Sequence, residues 1–323
     1  MKVSVSKAFF FLSGVVFATI FSTKLNAQNL TLEGQTGGFI TPTAYVVYTE
    51  KGKFFSHPAV GYHFVNASSV IGNVHTFNIA EGFANRAEVG YTRSEHTEGN
   101  SELFSSLWHF NGMNIFSGKV VALKDGQFGP WMPGVGAGFV VRTSDRFVTG
   151  ALDQALTGTL KSYTNGDVYV AVTKTWLHPP VPFLINVGWK ATNASIYGLG
   201  GQATRFGGRM FGGLGIPIPG PLHTAIVPAA GFTQEPPQVK NLSAILFNTT
   251  TFTPGAPAHI PTTLDYAVRV TQKDNPHFAF DIGVGQVAGT IGTTVIRTPN
   301  GFVLIPVDLQ ARHVMGVGLS LRY

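Results

Sequence analysis

Apolar and polar residues alternate with a period of two along most of this chain. Phe183, Ile185, Val187 and Trp189 interleave with Asn186, Gly188 and Lys190. Leu264, Tyr266, Val268 and Val270 oppose Asp265, Ala267, Arg269 and Thr271, and Phe278, Phe280, Ile282 and Val284 oppose His277, Ala279, Asp281 and Gly283. In the last run, Met315, Val317, Leu319, Leu321 and Tyr323 oppose Gly316, Gly318, Ser320 and Arg322. Successive side chains of a strand point to opposite faces, so each run is a strand with one apolar face and one small or polar face. The pattern predicts strands near 57–66, 72–81, 86–93, 107–123, 132–142, 166–176, 182–192, 204–216, 222–233, 263–272, 276–287 and 312–323. The stretch 105–123 alternates poorly and leaves the count open by two. A short helix is expected only over 147–160, inside a connection.

The connections sort into two kinds. Those at 82–85, 124–131, 177–181, 217–221 and 273–275 are short and mostly rich in Gly, Pro, Asn or Asp, as turns require. Those at 94–106, 143–165, 193–203, 234–262 and 288–311 are longer, and the two kinds take turns from residue 82 onward. An up-and-down barrel with short turns at one end and long loops at the other has this rhythm; a β-sandwich does not. The expected fold is therefore all-β, an antiparallel up-and-down transmembrane β-barrel of about 12 strands, with both termini on the periplasmic side. Tyr62, Tyr91, Trp131, Trp176, Trp189 and Tyr323 fall near strand ends, where amphipathic rings meet lipid headgroups.

Composition narrows the class further. Charged residues make up 12% of the chain, against about 25% in soluble domains. There are 39 Gly and 26 Phe, and no Cys. A barrel that turns apolar atoms to lipid and small or polar ones inward has this balance. The absence of Cys excludes disulfides, thiolate metal sites and Cys nucleophiles. Part of the formal charge of +6 comes from Lys2, Lys7 and Lys24 near the N-terminus, so basicity is no argument for nucleic acid.

Lys2 and Lys7 precede an apolar run over 8–21, and the small residues of 22–27 follow. This is the layout of a secretory signal peptide over 1–27, with cleavage expected after Ala27. The run of roughly 14 residues is shorter than the ~20 that a membrane-spanning helix needs. The expected organisation is a leader over 1–27, a Gly/Pro-rich segment over 28–53 and the barrel over 54–323. Gly34, Gly37, Gly38 and Pro42 make 28–53 a poor lipid-facing strand. A plug in the lumen, a lining of the periplasmic mouth, a linker and an irregular first strand all fit it.

The stretch Leu32 to Tyr45 (LEGQTGGFITPTAY) resembles the N-terminal signature of a proteobacterial outer-membrane family known only as a domain of unknown function. Residues 85–94 (NRAEVGYTRS) and the final strand fit the same group. Gly37–Gly38, Thr41-Pro42-Thr43-Ala44 and Lys51-Gly52-Lys53-Phe54 are also similar to the start of exopolysaccharide-associated outer-membrane barrels. Met315, Val317, Leu319, Leu321 and Tyr323 resemble the C-terminal signal read by the barrel-assembly machinery of Gram-negative bacteria. These resemblances imply a location in the outer membrane, among its lipids, and an architecture. They supply no catalytic residues.

Ten His invite a search for chemistry, but none has the spacing of a zinc site, no Gly-x-Ser-x-Gly elbow occurs, and the G-x-G pairs lie inside strands. No catalytic, metal or cofactor site is expected, and no cofactor. Parity places Arg86, Glu88, Arg142, Asp167, Lys190, Arg205, Arg209, Asp265, Arg269, Asp281 and Arg322 on the inner face. Seven of these are basic and four acidic, which gives two readings. One is a mildly cationic lumen that passes small polar or anionic solutes; the other is a set of cross-strand pairs that fill the interior. The chain is thus read as a channel or transporter, with a non-conducting barrel of envelope or exopolysaccharide assembly as the alternative. Within 288–311, the apolar run 302–306 (FVLIP) suits a fold-back constriction or, slightly better, an extension of the strands above the membrane.

Overall fold

The computed structural model describes residues 29–66, 73–97, 112–145, 163–177, 181–193, 206–234, 262–272, 277–288, 290–298, 301–308 and 313–322. The leader expected over 1–27, the helix expected over 147–160, Arg205 and Tyr323 lie outside them.

The alternating segments form strands β1 (Ala59–Asn66), β2 (Asn73–Phe83), β3 (Ala87–Thr97), β4 (Met113–Leu123), β5 (Gly134–Asp145), β6 (Tyr163–Trp176), β7 (Phe183–Thr192) and β8 (Gly207–Gly215). After the two-residue β9 (Ile218–Pro219) come β10 (Thr224–Gln234), β11 (Thr262–Gln272), β12 (Phe278–Ala288), β13 (Thr290–Thr298), β14 (Gly301–Asp308) and β15 (His313–Arg322). Each strand from β1 to β7 pairs antiparallel with its successor, β10 with β8 and β11, β12 with β11 and β15, and β15 with β1. The ring therefore closes on itself. β9 pairs with Ala225–Ile226 along the edge of β10 that β8 also uses, so β8 and β9 are one interrupted strand. The result is a closed antiparallel barrel of 12 strands, as the alternation predicts. Closure leaves the barrel with no open sheet edge.

Two boundaries differ from the sequence reading. The turn expected at 217–221 lies nearer 220–223, where Leu222 and His223 both take positive φ and Thr224 N donates to Pro221 O. Pro217 interrupts the ladder because it has no N–H, but pairing resumes at Ile218. Within the irregular stretch 107–123, β4 spans Met113–Leu123, and Gly112 before it is not strand. Its inward residues Met113 and Ile115 are apolar and pack with Val140, Tyr169, Ala171 and Phe211. An apolar inner face erases the alternation that parity depends on. Residues 288–311, in turn, supply β13 and β14, which pair with each other in a two-stranded sheet separate from the barrel.

The outer wall is apolar. Phe77, Ile79, Val89, Tyr91, Phe116, Val120, Val168, Val170, Val187, Trp189, Val268, Ile282 and Met315 are all exposed on it. On β2 and β3 the outward charges fall at the strand ends: Glu81 at one, Arg93 and Glu95 at the other. Between them runs a band too large and too apolar for a water-facing surface. The inner wall is opposite in character: Thr76, Asn78, Glu88, Thr92, Lys119, Arg142, Asp167, Thr173, Asn186, Lys190 and Asp281 are buried there. Water does not bury them. Residues 29–49 do.

Candidate functional site

Residues 29–49 run as a non-regular segment inside the ring, and most are buried. Short internal ladders hold its shape: Leu30 bridges Thr36, and Gly37 bridges Pro42. Gly34 takes a positive φ of 80° within the turn that reverses the chain. The segment leaves the barrel at the short-turn end. There Thr49 N donates to Asn85 Oδ1 (2.7 Å) and Ser56 N to Gly82 O (2.8 Å). Outside, the exposed Phe54 and Phe55 cluster with the half-buried Phe83, with ring centroids 5.0–6.2 Å apart.

Buried charges tie this segment to the wall. Arg142 on β5 is the centre of the first group. Its Nη2 donates to Glu33 Oε2 at 2.6 Å and to Asp167 Oδ2 at 2.8 Å, and its Nε also donates to Glu33. Thr192 donates to the other oxygen of Asp167. In the second group, Glu88 on β3 accepts from Thr36 N (2.9 Å), the Thr36 hydroxyl and Val47 N (2.8 Å). Lys119 on β4 stands 3.3 Å from Glu88 and donates to Thr36 O (2.8 Å) and Thr43 O (3.2 Å). The third group joins Arg269 and Asp281, paired at 2.8 and 3.1 Å, to the segment through Gly37 O and Asn29. Neutral groups complete the seat: Asn78 donates to Leu32 O, Thr173 accepts from Ala44 N and Asn186 donates to Pro42 O.

The charges assigned inward by parity divide accordingly. Glu88, Arg142, Asp167, Arg269 and Asp281 meet in these groups. Lys190 is buried and lines a small cavity of about 20 Å³ with Glu33, Thr41, Tyr169, Phe211 and Thr233. Arg322 is buried with its guanidinium 5.1 Å from the centre of the Tyr48 ring. Arg209 is half-buried and donates to Gly208 O. Asp265 is buried on the inner face of β11, away from the groups above. Arg86 requires a correction: β3 begins at Ala87, and Arg86 sits in the turn before it, donating to the carbonyls of Val121 and Ala122 and to Gln127. Its side chain covers the end of β4 at the short-turn mouth.

Sequence reasoning missed Glu33, Lys119 and the pair Lys174–Asp125 (2.6 Å). Glu33 lies outside any alternating run, 109 positions from its partner. Lys119 fell in the stretch whose parity the apolar inner face obscures. Lys174 has lipid-side parity on β6, but it reaches down to Asp125 in the turn below. Of the seven inward bases expected from parity, Arg142 serves two acids and Arg269 one, while Lys119, outside that set, serves Glu88.

Several solved structures are similar in fold. The KdgM porin is 9% identical, covering 82% of this chain and 99% of its own, with a TM-score of 0.43. The NanC porin is 11% identical, covering 82% and 100%, with a TM-score of 0.44. The translocator domain of the autotransporter NalP from Neisseria meningitidis is 10% identical, covering 85% and 90%, with a TM-score of 0.34. No curated protein matches the sequence. Residues 27–210, more than half of the chain, match the family model described as "Protein of unknown function (DUF3034)", and the protein belongs to that family.

Proposed function

We propose that this protein is a bacterial outer-membrane barrel that passes small polar solutes through a lumen narrowed by residues 29–49. The supporting observation is the contrast between the walls: an outer band of exposed Phe, Val, Ile and Trp, and an inner wall whose charges and amides are matched to the segment. Lipid suits the first, and an aqueous passage with a fitted constriction suits the second. The segment sits against β2 to β7 and against β11 and β12 through the bonds described above, and against β15 through Arg322 and Tyr48, while β8 and β10 present Gly213, Gly215, Ala229 and Gly231 to the interior. Passage follows that small-residue side, and no covalent step is involved. Because Arg142 and Arg269 at the centre of these groups are paired with acids, the preference for anions expected from the number of inward bases is not part of the proposal.

The test is single-channel conductance of the refolded chain in planar bilayers, with and without residues 28–53. Discrete small steps in the intact protein, growing several-fold on deletion, are the expected result. Silence from both, with the barrels verified as folded, refutes passage and favours a non-conducting envelope or export-associated barrel.

A further inference from the structure

One inward carboxylate stands apart from the ion-pair groups. Asp265 is 6% exposed and lies on the face of β11 that also carries the buried Thr263 and Thr271, opposite the outward Tyr266 and Val268. It has no hydrogen-bonding or charged partner among the described residues. The interior acids Glu33, Glu88, Asp167 and Asp281 each have an arginine or lysine partner.

Its neighbours across the ladder have no side chains. Asp265 is in register with Gly231 on β10 and Gly285 on β12, and Gly231 with Gly213 on β8. A Cβ at Gly231 would stand 2.5 Å from Asp265 Oδ1, so the carboxylate lies against bare backbone. Two residues nearer the short-turn end, Ala267 packs on the apolar cluster that includes Leu32, Phe39 and Ile40 of the internal segment. The carboxylate therefore sits just beyond the segment's apolar tip, on a side where the described residues supply no counter-charge. A carboxylate withdrawn from water is strongly disfavoured unless a cation or a proton joins it.

We propose that Asp265 binds a small monovalent cation, and that this site sets the charge preference of the passage. The inference rests on the passage reading above. A single carboxylate beside glycines suits a monovalent ion, whereas a calcium site gathers six to eight oxygens from several acids. The cation supplies the partner that the chain provides to every other acid named here.

The test uses the full chain and the variant Asp265→Asn, which keeps the side chain's shape, with folding checked by circular dichroism. In a potassium chloride gradient, the reversal potential of the parent should report a several-fold preference for potassium over chloride, and the variant should lose it. An unchanged preference in the variant, or a chloride preference in the parent, overturns the inference while leaving passage intact. No current from the parent sinks the passage reading instead. The site is then decided by rubidium soaked into crystals of the full chain. An anomalous peak beside Asp265 that disappears in the variant sustains it, and no peak overturns it.

Discussion

Replacing Arg142 with Met probes the seat of the internal segment most sharply. The Arg142 side chain is fully buried, and its partners Glu33 and Asp167 are 7% and 6% exposed. Met fills much of the same volume but leaves two carboxylates buried without their cation. Breaking a buried pair in this way costs about 3–5 kcal/mol, or roughly two to three and a half powers of ten in the folding equilibrium. The same substitution in a chain lacking 28–53 has a different context: Glu33 is gone and water reaches Asp167. The cost there should fall to about 0–1 kcal/mol, as for exposed pairs. Urea titration of both backgrounds in lipid vesicles, followed by tryptophan fluorescence, gives the difference. A large penalty only in the full chain is expected. Equal penalties in the two backgrounds would refute a seat built from segment and wall together.

Further outcomes follow from the same geometry. A Cβ at Gly82 would overlap Val47 O, so Gly82→Ala should cost about 1–3 kcal/mol by overpacking in the full chain and little in the deleted one; the same vesicle titration reads both. Val170, outward on the middle of β6, should tolerate Leu, while Val170→Arg should cost about 2–4 kcal/mol if the band faces the bilayer core. A negligible cost there would contradict the lipid-facing assignment. Thr173→Val removes the acceptor for Ala44 N and the donor to Asn186; leaving these groups unpaired should cost about 1–3 kcal/mol, with faster proteolysis of the segment as a second readout.

The barrel was legible because its physics is local in sequence. Lipid outside and polar groups inside impose a period of two, and Ile185, Val187 and Trp189 against Asn186 and Lys190 carry that period undisturbed. Legibility fails where the inner face is itself apolar, as at Met113 and Ile115, because the two faces then read alike. The seat of the segment was hardly legible at all. Gly34, Gly37 and Pro42 mark a stretch unsuited to a lipid-facing strand, but Glu33 finds Arg142, and Asn29 finds Asp281, only after the ring has closed. Such pairings depend on sequence separations of 109 and 252 residues, which no local pattern encodes. Parity puts Arg142, Asp167 and Asp281 on the inner face, yet it could not tell a charge that faces solute from one that faces the protein's own chain.

The placement of residues 29–49 within the lumen is the central claim, and a disulfide tests it directly. A Cβ built on Gly134 of β5 lies 3.6 Å from the Cβ of Ala44, within the roughly 3.5–4.5 Å that a disulfide spans, and the chain has no native Cys to compete. The double variant Ala44→Cys, Gly134→Cys should form the bond on mild oxidation of the membrane-embedded protein, with the linked peptides recovered by mass spectrometry. Both thiols remaining free and open to a maleimide, in a barrel verified as folded, would contradict the account.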